Sequence, residues 1–150
     1  MFNFLWHLSG SVSIAGNSPN AAVIESLARL LERQHRTIVA RNSDYLEFEA
    51  VLGDGAYDIS LPAMSYLEHG RLWIAQEPQG RSVHYDLQYL HYFVSTMFGI
   101  AFFAAFGWFI DGPLGSFKFA FLAAAFLFGI NWAALNARIP GAIRKAIMEA

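Results

Sequence analysis

The chain has 150 residues, of which 55% are hydrophobic and only 15% charged, with a net charge of −2 at neutral pH and no cysteine. A soluble domain of this size carries about 25% charged residues, so part of this chain is not built for water. Disorder, a coiled coil and a nucleic-acid-binding surface are excluded by that composition, and disulfide or thiolate chemistry by the missing cysteines.

The first segment, residues 1–86, reads as a small α+β domain with net charge −4, six arginines standing against ten acids. Val12 and Ile14 alternate with Ser11 and Ser13 in a first strand. Ser18-Pro19 opens a helix, the hydroxyl capping free amides and the proline lying where its missing N–H costs nothing. Val23, Ile24, Leu27, Leu30 and Leu31 then recur at helical spacing, and Glu25 with Arg29 makes a favourable pair four residues apart. Thr37–Ala40 is a short apolar run, and Leu46, Phe48 and Ala50 alternate with Glu47 and Glu49. Gly53-Asp54-Gly55 predicts a turn into a strand carrying Tyr57, Ile59 and Leu61 and ending at Pro62. Arg71–Ala75, the turn Glu77-Pro78-Gln79-Gly80, and Ser82–Leu87 predict a further hairpin. The order is strand, helix, then four or five antiparallel strands, with the helix covering one face of the small sheet.

Residues 87–137 differ in kind. Eleven of the 14 phenylalanines lie beyond residue 86, and no Asp, Glu, Lys or Arg occurs from Leu87 to Ile110 or from Phe119 to Ala137. About 20 apolar helical residues cross a bilayer, so the pattern predicts a two-helix transmembrane hairpin, about 89–110 and 117–137, joined by a turn at Asp111–Ser116. A buried hairpin in a soluble core is the alternative, but 86 further residues cannot cover two helices that are apolar all round. Ala101 and Ala105 on one helix, and Ala125, Gly129, Ala133 and Ala137 on the other, form small-residue columns suited to close helix packing. Aligned by depth about Pro113, Ser95 or Thr96 meets Asn131, pinning the hairpin by a hydrogen bond.

No flexible linker separates the domain from the membrane, and Tyr85, Tyr89 and Tyr92 are expected near lipid headgroups. Residues 138–150 read as a basic interfacial tail: Pro140 and Gly141 break the helix, and Arg138, Arg144 and Lys145 reach headgroups. These cations and Arg81 flank the spans, whereas the intervening loop pairs Lys118 with Asp111, so both termini are expected on the cytoplasmic side of a bacterial inner membrane. Met1–Trp6 lacks the basic start of a secretory signal, in keeping with that orientation.

Catalytic patterns are weak. None of His7, His35, His69, His84 and His91 forms a His-x-x-x-His pair, and haem held between two spans needs a second ligand that the second span lacks. His91, at the membrane boundary, offers one ligand to a pigment or metal, though an interfacial histidine is more often simply hydrogen-bonded. His84 and Asp86 alternate on one strand as a faint acid/base pair, and Glu47 with Glu49 has the pattern of a solvated strand face. No nucleophile elbow, P-loop or dinucleotide fingerprint occurs, and no charge lies within the spans to relay protons.

The expectation is therefore a non-enzymatic protein without cofactor or metal: an accessory, assembly or stabilising subunit of a larger integral membrane complex. One alternative is a homo-oligomeric membrane scaffold or regulator that recruits a cytoplasmic partner through the sheet face around Glu47, Glu49 and Trp73. Another is a lipid- or quinone-handling protein with its site near Trp6, Tyr85, Tyr89 and His91.

Overall fold

The structure is a computed structural model in which residues 7–50, 67–78 and 80–150 are described, apart from the side chains of His91, Tyr92 and Asn131. The expected Gly53–Gly55 turn, the strand around Tyr57–Leu61, and Trp6 lie outside the described residues. Two compact units are present: Met1–Tyr89 together with Arg138–Ala150, and Leu90–Ala137.

The first unit is α+β. Strand β1 (His7–Ser13) is followed by helix α1 (Asn20–Arg33), then β2 (Arg36–Arg41), β3 (Tyr45–Ala50), β4 (His69–Glu77) and β5 (Gly80–Gln88). All pairings are antiparallel, in the order β1-β5-β4-β3-β2, so the first strand closes against the last. Successive strand side chains point to opposite faces, and the register collects Leu8, Val12, Val83, Tyr85, Leu87, Leu72, Leu46 and Phe48 on one of them, all buried. Gly10 stands opposite Tyr85 and Gly70 opposite Phe48, and in each case the aromatic ring fills the space that a Cβ would take.

Helix α1 packs on β2 and β3. It begins differently from expectation: Pro19 is itself the N-cap, its carbonyl accepting from the Ala22 and Val23 amides at 3.0 and 3.2 Å, and no side chain caps the helix. Glu25 is bound by Arg41 of β2 in place of Arg29, which donates to Ser26. The helix ends as His35 takes a left-handed conformation (φ 56°), placing its amide on the Glu32 carbonyl.

Tyr85 and Tyr89 are 6% and 2% exposed and count among the buried residues of this unit. Tyr85 lies on the inward face of β5 because strand alternation, read through to Leu87, puts it beside Val83 and Leu87.

The C-terminal segment also departs from expectation. It is no separate tail: helix α3 (Asn131–Met148) runs through Pro140 without ending, and from Arg138 onward it belongs to the first unit. Ile139, Ile143, Ala146 and Ile147 recur on one helical face and are buried, while Arg144 and Lys145 lie on the exposed face. A proline inside a helix costs about 3 kcal/mol, whereas each isoleucine buried contributes about 1.5–3 kcal/mol. Three of them outweigh the break. The six buried residues of α1, Val23 to Leu31, spread over roughly 200° of its circumference at about 100° per residue. That is a wider arc than one sheet face covers.

The second unit is one long helical run, α2 (Leu90–Ala123), which passes through a π-helical stretch (Ala124–Ile130) into α3. The expected six-residue turn between separate helices is replaced by two non-helical residues, Asp111 (φ −137°, ψ 22°) and Gly112 (φ 61°, ψ −146°). Gly112 adopts a backbone conformation open in practice only to glycine, and Pro113 restarts the helix without an amide to satisfy. The run between Phe93 and Met148 is long and apolar enough to cross a membrane, and 11% of its most apolar window is buried, unlike the core helix of a soluble protein.

Candidate functional site

The face of the sheet opposite the core gathers a cluster of ionisable side chains of the first unit. Strand alternation places His7, Gln88, His69 and Glu49 in one row across it; Ser9, Asp86, Arg71 and Glu47 form the next, and Ser11, His84, Trp73 and Tyr45 the third. Glu47 is the hub. It accepts from the Tyr45 hydroxyl at 2.7 Å and from Arg71 Nε at 3.1 Å, and His69 Nε2 lies 3.1 Å away. The Tyr45 hydrogen bond, followed by that from Arg71, holds the Glu47 carboxyl below the usual carboxylate range. The same contact raises the Tyr45 phenol, and Glu47 raises the Arg71 guanidinium.

The other two histidines are held similarly. His7 Nδ1 is 3.1 Å from Asp86, and His84 Nε2 is 2.8 Å from Glu77 across the β4–β5 hairpin. His84 also stacks on Trp73, with ring centroids 5.5 Å apart. The acid/base pair suggested by His84 and Asp86 is thus divided: each has its own partner. Ser82 Oγ approaches His84 at 3.3 Å, but at Nε2, the nitrogen that faces Glu77. A catalytic triad needs the carboxylate and the hydroxyl on opposite ring nitrogens, so this trio has the wrong geometry to activate the serine. Among the described residues no group of three or more His, Asp or Glu side chains is placed to hold a metal ion. What the face offers is a half-exposed polar surface in which each of these histidines has a carboxylate partner.

The second unit carries the other residues singled out by sequence. A Cβ on Gly107 would lie 2.5 Å from the Gly115 carbonyl oxygen, and one on Gly99 would lie 3.2 Å from Leu127. Phe93 meets Phe128 edge-on with centroids 6.1 Å apart, and Phe106 meets Phe119 at 6.0 Å. Thr96 is buried, whereas Ser95 is exposed; the Asn131 side chain lies outside the described residues. Ala101, Ala105, Ala125, Gly129 and Ala133 are all exposed. Around them stand Phe98, Phe102, Phe109, Phe117, Phe121 and Phe126, from 66% to 87% exposed. Lys118 pairs with Asp111 at 3.3 Å beside the Gly112 break.

Of the residues expected at headgroups, Arg138, Arg144 and Lys145 are exposed, Tyr89 is buried, and the Tyr92 side chain is not described. The glycines at 99 and 107 escaped the sequence reading, which placed Gly115 only within the Asp111–Ser116 turn, although Gly107 and Gly115 bracket the Asp111-Gly112 break and that near-symmetry was a usable signal. The His7–Asp86 contact, 79 residues apart in the chain, had none. Compared with protein-family models, curated proteins and solved structures, the chain matches none of them.

Proposed function

We propose that this protein is a non-catalytic accessory, assembly or stabilising subunit of a larger integral membrane complex, held in a bacterial inner membrane by a two-helix hairpin with both termini cytoplasmic. The observation that carries the reading is the exposed surface of the second unit. Six phenylalanines there stand well clear of the protein, and five small residues are exposed among them. Such a surface is untenable in water, is at home in lipid, and lets another helix approach closely.

Three further observations support the hairpin. The Phe93–Phe128 contact joins positions that a straight helix would hold about 50 Å apart at 1.5 Å per residue. Both ends of the apolar segment continue into one folded unit, at Tyr89 and at Arg138, which favours an even number of crossings. Arg138, Arg144 and Lys145, exposed just beyond the segment, favour the cytoplasmic side for that unit. A quinone or lipid site at Tyr85 and Tyr89 is disfavoured by their burial in the sheet core.

The test is purification from native membranes in gentle detergent at native expression level, with the mass of the intact species measured. A stoichiometric complex with other membrane proteins is expected, lost in an Ala125→Leu/Ala133→Leu variant that still fractionates with membranes. A species holding only copies of this chain overturns the accessory reading in favour of a homo-oligomeric scaffold.

A further inference from the structure

The first unit is closed by chain that lies on the far side of the apolar segment. Its chain leaves at Tyr89 and re-enters at Arg138, with Leu90–Ala137 between them. The returning piece is no loose end: Ile139 and Ile143 are fully buried, Ala146 and Ile147 nearly so, and Glu149 meets Arg33 of α1 at 3.3 Å. We propose that residues 138–150 act as a latch that closes the soluble unit only once the apolar segment is inserted, so that the folded state of the domain reports membrane insertion. The proposal rests on the membrane reading above.

Two physical effects couple the events. Before insertion, the exposed phenylalanines need cover, and the apolar face of Ile139, Ile143 and Ile147 is the same kind of surface. The two compete for each other and for solvent-exposed apolar patches, which keeps the latch occupied elsewhere. Lipid removes that competition by taking up the phenylalanines. Chain closure adds to the effect: an unstructured intervening segment must close a long loop at an entropic cost, whereas a helical run reversed at Gly112 starts and finishes near the same membrane surface. The sheet does not share this dependence, because β1 to β5 are all encoded before residue 90.

The absence of native cysteine allows a direct test. Arg33 and Glu149 are exposed partners across the latch, so an Arg33→Cys/Glu149→Cys chain is joined by a short bis-maleimide only when the latch is closed. Thr37 and Glu49, paired across β2 and β3 and both exposed, supply a Thr37→Cys/Glu49→Cys control for sheet formation. The full chain is synthesised cell-free with and without nanodiscs of phosphatidylethanolamine and phosphatidylglycerol, and insertion is read independently from co-purification with the tagged disc scaffold. The latch pair is expected to cross-link about tenfold more with discs, the control pair equally in both. Equal latch yields in a chain that inserts overturn the coupling alone. Parallel loss of both pairs without discs overturns the latch as a separate step. A chain that never co-purifies with discs overturns the membrane reading, and the coupling with it.

Discussion

Glu47 shows how one side chain ties two strands together. It lies on β3, takes hydrogen bonds from Tyr45 on its own strand and Arg71 on β4, and neighbours His69. These donors favour its charged form, so its folded pKa lies below the ordinary glutamate value of about 4.3. A depressed carboxyl stabilises the fold above its unfolded pKa, and that stability is lost as pH falls through the folded value. Replacing Glu47 by Gln is therefore expected to flatten the acid limb of thermal stability below about pH 4, read from the Trp73 fluorescence transition as a function of pH. An acid limb as steep as that of the parent would show that other carboxyls govern it. Gly70 gives a steric counterpart. A Cβ there would lie 2.5 Å from Phe48 Cε1 and 2.7 Å from Leu87 Cδ2, both in the buried core. Gly70→Ala is expected to destabilise the first unit by about 1–3 kcal/mol, measured by urea unfolding. That Glu47 and Glu49 share a face was legible from alternation alone; that Arg71 and His69 stand beside them required the β3–β4 register.

At the scale of elements, the long helical run separates small residues that pack within the chain from those that face outward. Gly107 and Gly115 bring backbone against backbone, and any side chain at either position forces the two stretches apart. Gly107→Ala is expected to cost about 1–3 kcal/mol of stability in nanodiscs. Ala105→Leu, at an exposed site, is expected to change the isolated protein by less than about 0.5 kcal/mol. Melting of the two variants side by side checks this, and the reverse ranking would place the seam at the alanines. Spacing along a helix identifies a column of small residues but not its rotation toward a neighbour. The alanine columns were therefore visible in the sequence while their outward orientation was not. The strands fared better, because β4 and β5 join through a short turn and their alternating residues lie close in the chain. Helix α3 was misread at Pro140 for a related reason. The local preference of a proline was plain, whereas the burial of Ile139, Ile143 and Ile147 that overrides it depends on a surface distant in sequence.

For the whole molecule, the decisive feature is that one folded unit holds both ends of the apolar segment. It is the basis of both the proposed topology and the proposed latch. By itself the sequence determined what depends on neighbours a few residues apart: an α+β domain, its period-two strands and amphipathic helix, the β4–β5 hairpin, and aromatic-rich stretches free of charge from Leu87 to Ile110 and from Phe119 to Ala137. Only the tertiary structure decided which pieces meet. It set β1 beside β5, turned Tyr85 and Tyr89 into the core, and drew the C-terminal helix back so that Glu149 reaches Arg33, 116 positions earlier in the chain. Such contacts leave no periodic trace in the sequence, because the free energy that selects them comes from surfaces assembled in space by residues far apart along the chain.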